Sequence, residues 1–189
     1  VPEIDRGRFF AAIRNLLWSG VPLTAGQVEG HTVLLDEWER RHSADDRRWL
    51  AYALATAYHE TGRTMQPIEE WGIGAGKPYG EPDVVTGKRY YGRGYVQLTW
   101  RENYDRAGRH VGVDLVAEPE RALEPEIAAR VLYEGMIVGL FTGRRLVDYF
   151  DGGKADWRGA RRIVNGLDRA TRIGRYGRAY FEALGGTAP

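Results

Sequence analysis

The chain has no cysteine, which rules out disulfides, thiolate metal sites and cysteine nucleophiles together. Serine is nearly missing too. Only Ser19 and Ser43 occur, neither in a Gly-x-Ser-x-Gly turn, so serine-based acyl transfer has nothing to build on. Histidine is scarce: His59 and Glu60 begin like a zinc-protease helix, but Arg63 stands where the second histidine belongs. His31, His42 and His110 have no metal-ligand spacing, so no metal or other cofactor is expected. Gly72, Gly74, Gly76 and Lys77 resemble a phosphate loop only as far as Pro78, which replaces the required Ser or Thr. The longest stretch without Asp, Glu, Lys or Arg runs from Asn15 to Val28 and is broken by Gly20 and Pro22, too short to cross a bilayer.

What is present has the profile of a globular domain: 43% hydrophobic, 12% aromatic and 28% charged residues. A chain of 189 residues fits one domain. At this length roughly two-thirds or more of the unfolded surface is buried, enough for a real core. The formal net charge of +1 hides an uneven distribution. Seven arginines fall between Arg158 and Arg178 against a single acid, Asp168. The cluster reads either as a solvated helix face or as a patch for an anionic polymer.

Helical signals dominate. Asp5 precedes an apolar stripe of Phe9, Phe10, Ile13, Leu16 and Leu17. Thr24 and Gln27 form a capping-box pattern ahead of Val28, Leu34, Leu35 and Trp38. Ser43, Asp45 or Asp46 caps a third helix through Trp49, Leu50, Ala53, Leu54, Ala57 and Tyr58, ending near Thr61 and Gly62. From Gly62 to Gly94 eight glycines and three prolines exclude a continuous helix. A long irregular segment inside a compact domain is usually functional. The best β segment here is Arg89 to Leu98. Thr99 and Glu102 predict a capping box for the next helix, and Pro125 opens another that reaches Phe141. Two short helices follow, one ending near Val164 and one over about 169–184. The expectation is a mainly α domain with a Gly-rich loop and a short β segment.

The remaining chemistry is that of paired carboxylates, which glycosidic hydrolysis requires as an acid and a partner across the sugar. Glu60 falls where an apolar helix meets a glycine turn, a place where half-burial against Trp or Tyr keeps a carboxyl protonated. Glu69, nine residues on, lies in an open segment where a carboxylate stays ionised. The competing readings are an ordinary helix-end side chain for Glu60 and a solvated pair for Glu69 and Glu70.

Two segments sharpen this: Tyr58-His59-Glu60-Thr61-Gly62, and Tyr90-Tyr91-Gly92-Arg93-Gly94-Tyr95-Val96-Gln97-Leu98-Thr99. Both resemble signatures of glycoside hydrolase family 19, which contains plant-type chitinases and many phage or prophage endolysins. Ile163-Val164-Asn165-Gly166 and Arg172-Ile173-Gly174-Arg175-Tyr176 follow in the right order. The resemblance implies a lysozyme-like two-lobed fold and an inverting mechanism. Glu60 takes the place of the general acid, and Glu69, rather than Glu70, that of the general base. Thr99 matches a hydroxyl that helps hold the attacking water. His59, Tyr91, Gln97, Asn103, Asn165 and Arg172 match groups lining the substrate site, with Arg172 able to pair with a glutamate. Each has a plainer alternative. Thr99 can be only a cap, Gln97 and Asn103 can satisfy backbone groups, and Arg172 can be a structural salt bridge. Tyr90, Tyr91 and Tyr95 can be core, and His59 can support the loop by a hydrogen bond.

The chain departs from the family at Arg63, where a second glycine is usual, and lacks the longer loops and disulfides of plant chitinases. Both departures favour peptidoglycan over chitin. The expected protein is one catalytic domain over 1–189, with an N-terminal helical part (1–42) and a family-19-like core (43–189). It is expected to be a monomeric, endolysin-type muramidase cleaving β-1,4 bonds between amino sugars, with chitin hydrolysis as the alternative and a silent glycan-binding module as the remote one. No nucleic-acid partner and no membrane insertion are expected, beyond surface contact by the Arg-rich end. With no signal peptide visible, synthesis in a bacterial cytoplasm and action on the wall after release are expected.

Overall fold

The computed structural model describes residues 3–187. Asp5 accepts a hydrogen bond from the Arg8 N–H and opens α1 (Arg6–Trp18), which buries Phe9 and Ile13. Thr24 and Gln27 exchange both capping-box bonds at the start of α2 (Ala25–His42). Asp46, not Ser43 or Asp45, caps α3 (Arg47–Glu60). Every residue from Leu50 to Tyr58 is buried, so α3 is a central helix enclosed on all sides rather than a surface helix with one apolar face.

The long β segment expected over 89–98 is not formed. Its regular part is β2 (Arg93–Gly94), antiparallel to β1 (Ile68–Glu69), with Ile68 opposite Gly94 and Glu69 opposite Arg93. Gly94 at φ +87° and Gln97 at φ +55° turn the chain back, so Leu98 pairs with Arg93 instead of extending the strand. The Thr99–Glu102 capping box is not formed either. Trp100 holds the cap position of α4 (Arg101–Val111) at φ +70° with no side-chain cap bond, which leaves Thr99 outside the helix. Pro125 opens α5 (Pro125–Val138) as expected. The helix stops at Gly139 (φ +82°), short of Phe141, whose ring lies against Gly135. A second ribbon, β3 (Phe150–Asp151) with β4 (Lys154–Ala155), was not legible in the sequence. A 3-10 turn over Gly159–Ile163 leads to α6 (Ala170–Ala183).

The helices form two groups. α3 packs on α6 and α6 on α1, while α4 packs on α5, and α2 reaches α5 from the first group. No helix among the described residues is long and apolar enough to cross a membrane.

The segment 1–42 is built into the first group through His31. This ring is fully buried among Phe9, Phe10, Trp18 and Tyr180. Its Nδ1 lies 2.6 Å from the Gln27 carbonyl oxygen, so that nitrogen carries the proton, and its Nε2 lies 2.9 Å from the Tyr180 hydroxyl. Burial lowers its pKa to about 4. Below the unfolded value near 6.5 the unfolded chain binds a proton that the folded one refuses. Stability is therefore expected to fall as pH drops from about 6.5 to about 4, by roughly 3 kcal/mol from this group, and then to level off. Urea unfolding of wild type and His31→Gln across that range checks this, because the variant lacks this component.

Candidate active site

The chain between Glu60 and Glu69 has little regular structure, yet it is fixed. At the end of α3, Thr61 accepts a bond from the Met65 N–H at its hydroxyl, while the same hydroxyl donates to the Ala57 carbonyl. The Arg63 N–H reaches back to the Tyr58 carbonyl. α2 then grips the connection from outside. The Gln27 amide donates 3.0 Å to the Arg63 carbonyl, and the Gln66 amide donates to the Gly26 carbonyl at 2.5 Å. Gly30 makes this approach possible, because a Cβ there would sit 1.7 Å from the Met65 carbonyl oxygen. The N-terminal helices thus position the two glutamates.

Glu60 is the last residue of α3, with a side chain 19% exposed. Its Oε1 accepts a 2.6 Å bond from Nη1 of Arg161, which is itself only 4% exposed and also donates to the Asp168 carbonyl. From the sequence, Arg172 is the arginine able to pair with a glutamate or to form a structural salt bridge. That assignment is corrected: Arg172 is exposed and forms no ion pair among the described residues. Arg161 was missed because it lies in the arginine cluster read as a possible solvated face. The flanking Ala160 and Ile163, both buried, are the available signal for it. Glu60 is thus half-buried as expected, with the Arg161 cation beside it.

Glu69 differs. Its side chain is 48% exposed, and Oε1 accepts a 2.7 Å bond from the Tyr91 hydroxyl. Arg93, buried and stacked 3.7 Å from the Tyr91 ring centre, places Nε 3.8 Å from the same oxygen. Burial, followed by the bond to Glu69, raises the Tyr91 pKa, so the phenol stays a donor. Neighbouring Glu70 is occupied structurally, accepting from the Tyr79 hydroxyl at 2.8 Å and the Gly92 N–H at 3.1 Å.

The other sequence candidates divide. Thr99 is half-buried, and its hydroxyl has no hydrogen-bond partner among the described residues. Gln97 donates to the Ile68 and Gly94 carbonyls, and Asn103 to the Thr99 carbonyl, so both satisfy backbone groups. Tyr90, Tyr91 and Tyr95 are buried. The His59 ring makes no hydrogen bond to the loop, which corrects that expectation. Burial lowers its pKa, opposed by Glu60 and reinforced by the charges of Arg161, Arg169 and Arg172. Asn165 is exposed and spends its side-chain oxygen on the Gly166 N–H. No cluster of metal-binding side chains occurs among the described residues.

Replacing Arg161 with Leu removes one partner of a mostly buried pair, which costs about 2–3 kcal/mol at this partial exposure of Glu60. Calorimetry is expected to show a Tm lower by roughly 5–10 °C.

Residues 50–131 match the family model described as chitinase class I of the family 19 glycosyl hydrolases. An acidic endochitinase of Beta vulgaris is 38% identical over 85 residues, covering 42% of this chain and 29% of that protein. An endochitinase of Arabidopsis thaliana is 30% identical over 126 residues, covering 64% and 43%. The chain spans about a third of the length of the first curated relatives it matches. Chitinase C from Streptomyces griseus shares its fold with a TM-score of 0.63 at 22% identity, covering 97% of this chain and 77% of that one. A family GH19 class IV chitinase from Zea mays gives 0.61 at 19%, covering 100% and 95%. Residues 50–131 are thus similar in sequence to the chitinase class I family, and the whole chain shares its mainly helical fold with these two chitinases.

Proposed function

We propose that the protein is an inverting glycoside hydrolase that cuts β-1,4 bonds between amino sugars, with bacterial peptidoglycan as its substrate. The observation that carries this reading is the contrast between the two glutamates: Glu60 is mostly enclosed beside a buried cation, and Glu69 is half-exposed and held at one oxygen. Inverting glycosidases use a pair of carboxyl groups as acid and base. Glu60 protonates the glycosidic oxygen, and the Arg161 guanidinium compensates the charge left behind. Glu69 draws the proton from a water that attacks the anomeric carbon from the opposite face. Tyr91 fixes the orientation of that carboxylate, and the unused hydroxyl of Thr99 holds the water. Inversion requires the two carboxyl groups to stand about 6.5–9.5 Å apart across the sugar.

Peptidoglycan is favoured because the chain has no cysteine for the disulfides of plant chitinases and carries Arg63 where the family usually has a glycine. The second reading, chitin hydrolysis, is supported by the names of those relatives. An endolysin-type role, in which the enzyme reaches the wall after release from the cell, follows from the first reading.

Glu60→Gln and Glu69→Gln are expected to lower turnover about 10²–10⁴-fold while circular dichroism stays unchanged. Thr99→Val is expected to lower turnover with stability held within about 0.5 kcal/mol, since no protein group loses a partner. Proton NMR of fresh products should show the α-anomer. Mass spectrometry of digested sacculi identifies the reducing-end sugar, and release of free amines without new reducing ends would refute glycan cleavage. Cleavage of chitin oligomers but not sacculi would select the second reading.

A further inference from the structure

The exposed arginines of α6 are not used by the protein. Arg172, Arg175 and Arg178 are exposed, recur every third residue, and make no ion pair or hydrogen bond among the described residues. Three-residue spacing keeps them on one side of the helix, and from first to last they rise about 9 Å. The opposite side, with Ile173, Gly174, Gly177 and Tyr180, is buried, so the row faces outward. Glu182 is the only acid on the helix and lies in its last turn. Elsewhere on the surface Arg6, Arg40, Arg41, Arg109 and Arg121 each sit beside a carboxylate, whereas Arg8, Arg14 and Arg144 form no ion pair among the described residues but are not arranged in a row on one helix face.

The row begins near the candidate acid, because Arg161, bound to Glu60, also donates to the Asp168 carbonyl just ahead of α6. Arg172 acts electrostatically on His59, the neighbour of Glu60. Arg63 joins from the other side: its guanidinium lies 5.6 Å from the centre of the Tyr58 ring, and Tyr58 meets Tyr176 of α6 edge-on at 4.8 Å. Arg63 is exposed and has backbone φ +74°, a conformation that glycine adopts without cost. The strain is retained at a position where the side chain makes no ion pair.

We propose that Arg63, Arg172, Arg175 and Arg178 form a carboxylate-binding strip beside Glu60 that holds the anionic peptide side chains of a peptidoglycan strand. The inference rests on the peptidoglycan reading above. Chitin carries no charge for such a strip, whereas the peptides on a wall glycan end in free carboxylates. Several weak exposed ion pairs along one strand add up to useful affinity although each alone is worth little.

The test is binding, not turnover, measured by calorimetry on the full chain carrying Glu69→Gln. The probes are a peptide-bearing peptidoglycan hexasaccharide, the same fragment with its carboxylates amidated, and a chitin hexasaccharide. The protein with the strip intact is expected to bind the native fragment about 10-fold or more tighter than the amidated one, with the preference shrinking as salt rises. Adding R63G, R175Q and R178Q should abolish that preference and leave chitin hexasaccharide affinity unchanged. Glycine suits φ +74° and the other two side chains are exposed, so folding is not at stake. Equal binding of native and amidated fragments, or a preference that survives the triple substitution, overturns the proposal. So does a DNA duplex or an anionic phospholipid vesicle that competes as well as the native fragment, which would mark a general polyanion surface. A protein that prefers the native fragment but fails to cleave sacculi would contradict the catalytic reading and leave the strip standing.

Discussion

The grip of α2 on the connection between Glu60 and Glu69 is the constraint on which the site depends. One glutamate ends a buried helix and the other sits on a two-residue ribbon, and nothing between them is regular enough to set their relative position. Two side-chain amides and one close backbone approach at Gly30 supply that rigidity. α2 is held in turn by the buried His31, whose bonds run to its own helix and to α6. Rigidity is thus transmitted from the aromatic core to the loop, as preorganised chemistry requires.

Arginine is used at three depths in this molecule. Arg93 is buried beneath Glu69 and stacked on Tyr91, and Arg161 is buried against Glu60. The row on α6 stands in solvent. Only arginine serves all three, because it keeps its charge when buried and presents a flat face to an aromatic ring. The two buried cations neighbour the two candidate carboxylates, so the electrostatics of the site are set from inside the fold.

The helices were legible because their determinants are local. Asp5, Thr24 with Gln27, and Pro125 act within one turn of themselves, and tertiary structure did not override them. The β segment and the cap at Thr99 were misread for the opposite reason. There the backbone is decided by positive φ at Gly94, Gln97 and Trp100, and two of those residues give no warning of it in sequence. Glu60 and Glu69 could be singled out by motif and spacing. Arg161 was harder to single out, because its partner is 101 residues distant and Arg158 and Arg162 beside it are exposed, leaving only the apolar Ala160 and Ile163 as a signal.

Adjacent residues along extended backbone face opposite ways, so Glu69 at the end of β1 and Glu70 just after it meet different surroundings. A one-residue slip of the pairing with β2 would turn Glu69 to the other face, whereas a two-residue slip would restore the face but leave Glu69 away from Tyr91 and Arg93. The connection therefore tolerates a change of length only where it is absorbed as a bulge ahead of Ile68, leaving Glu69 opposite Arg93.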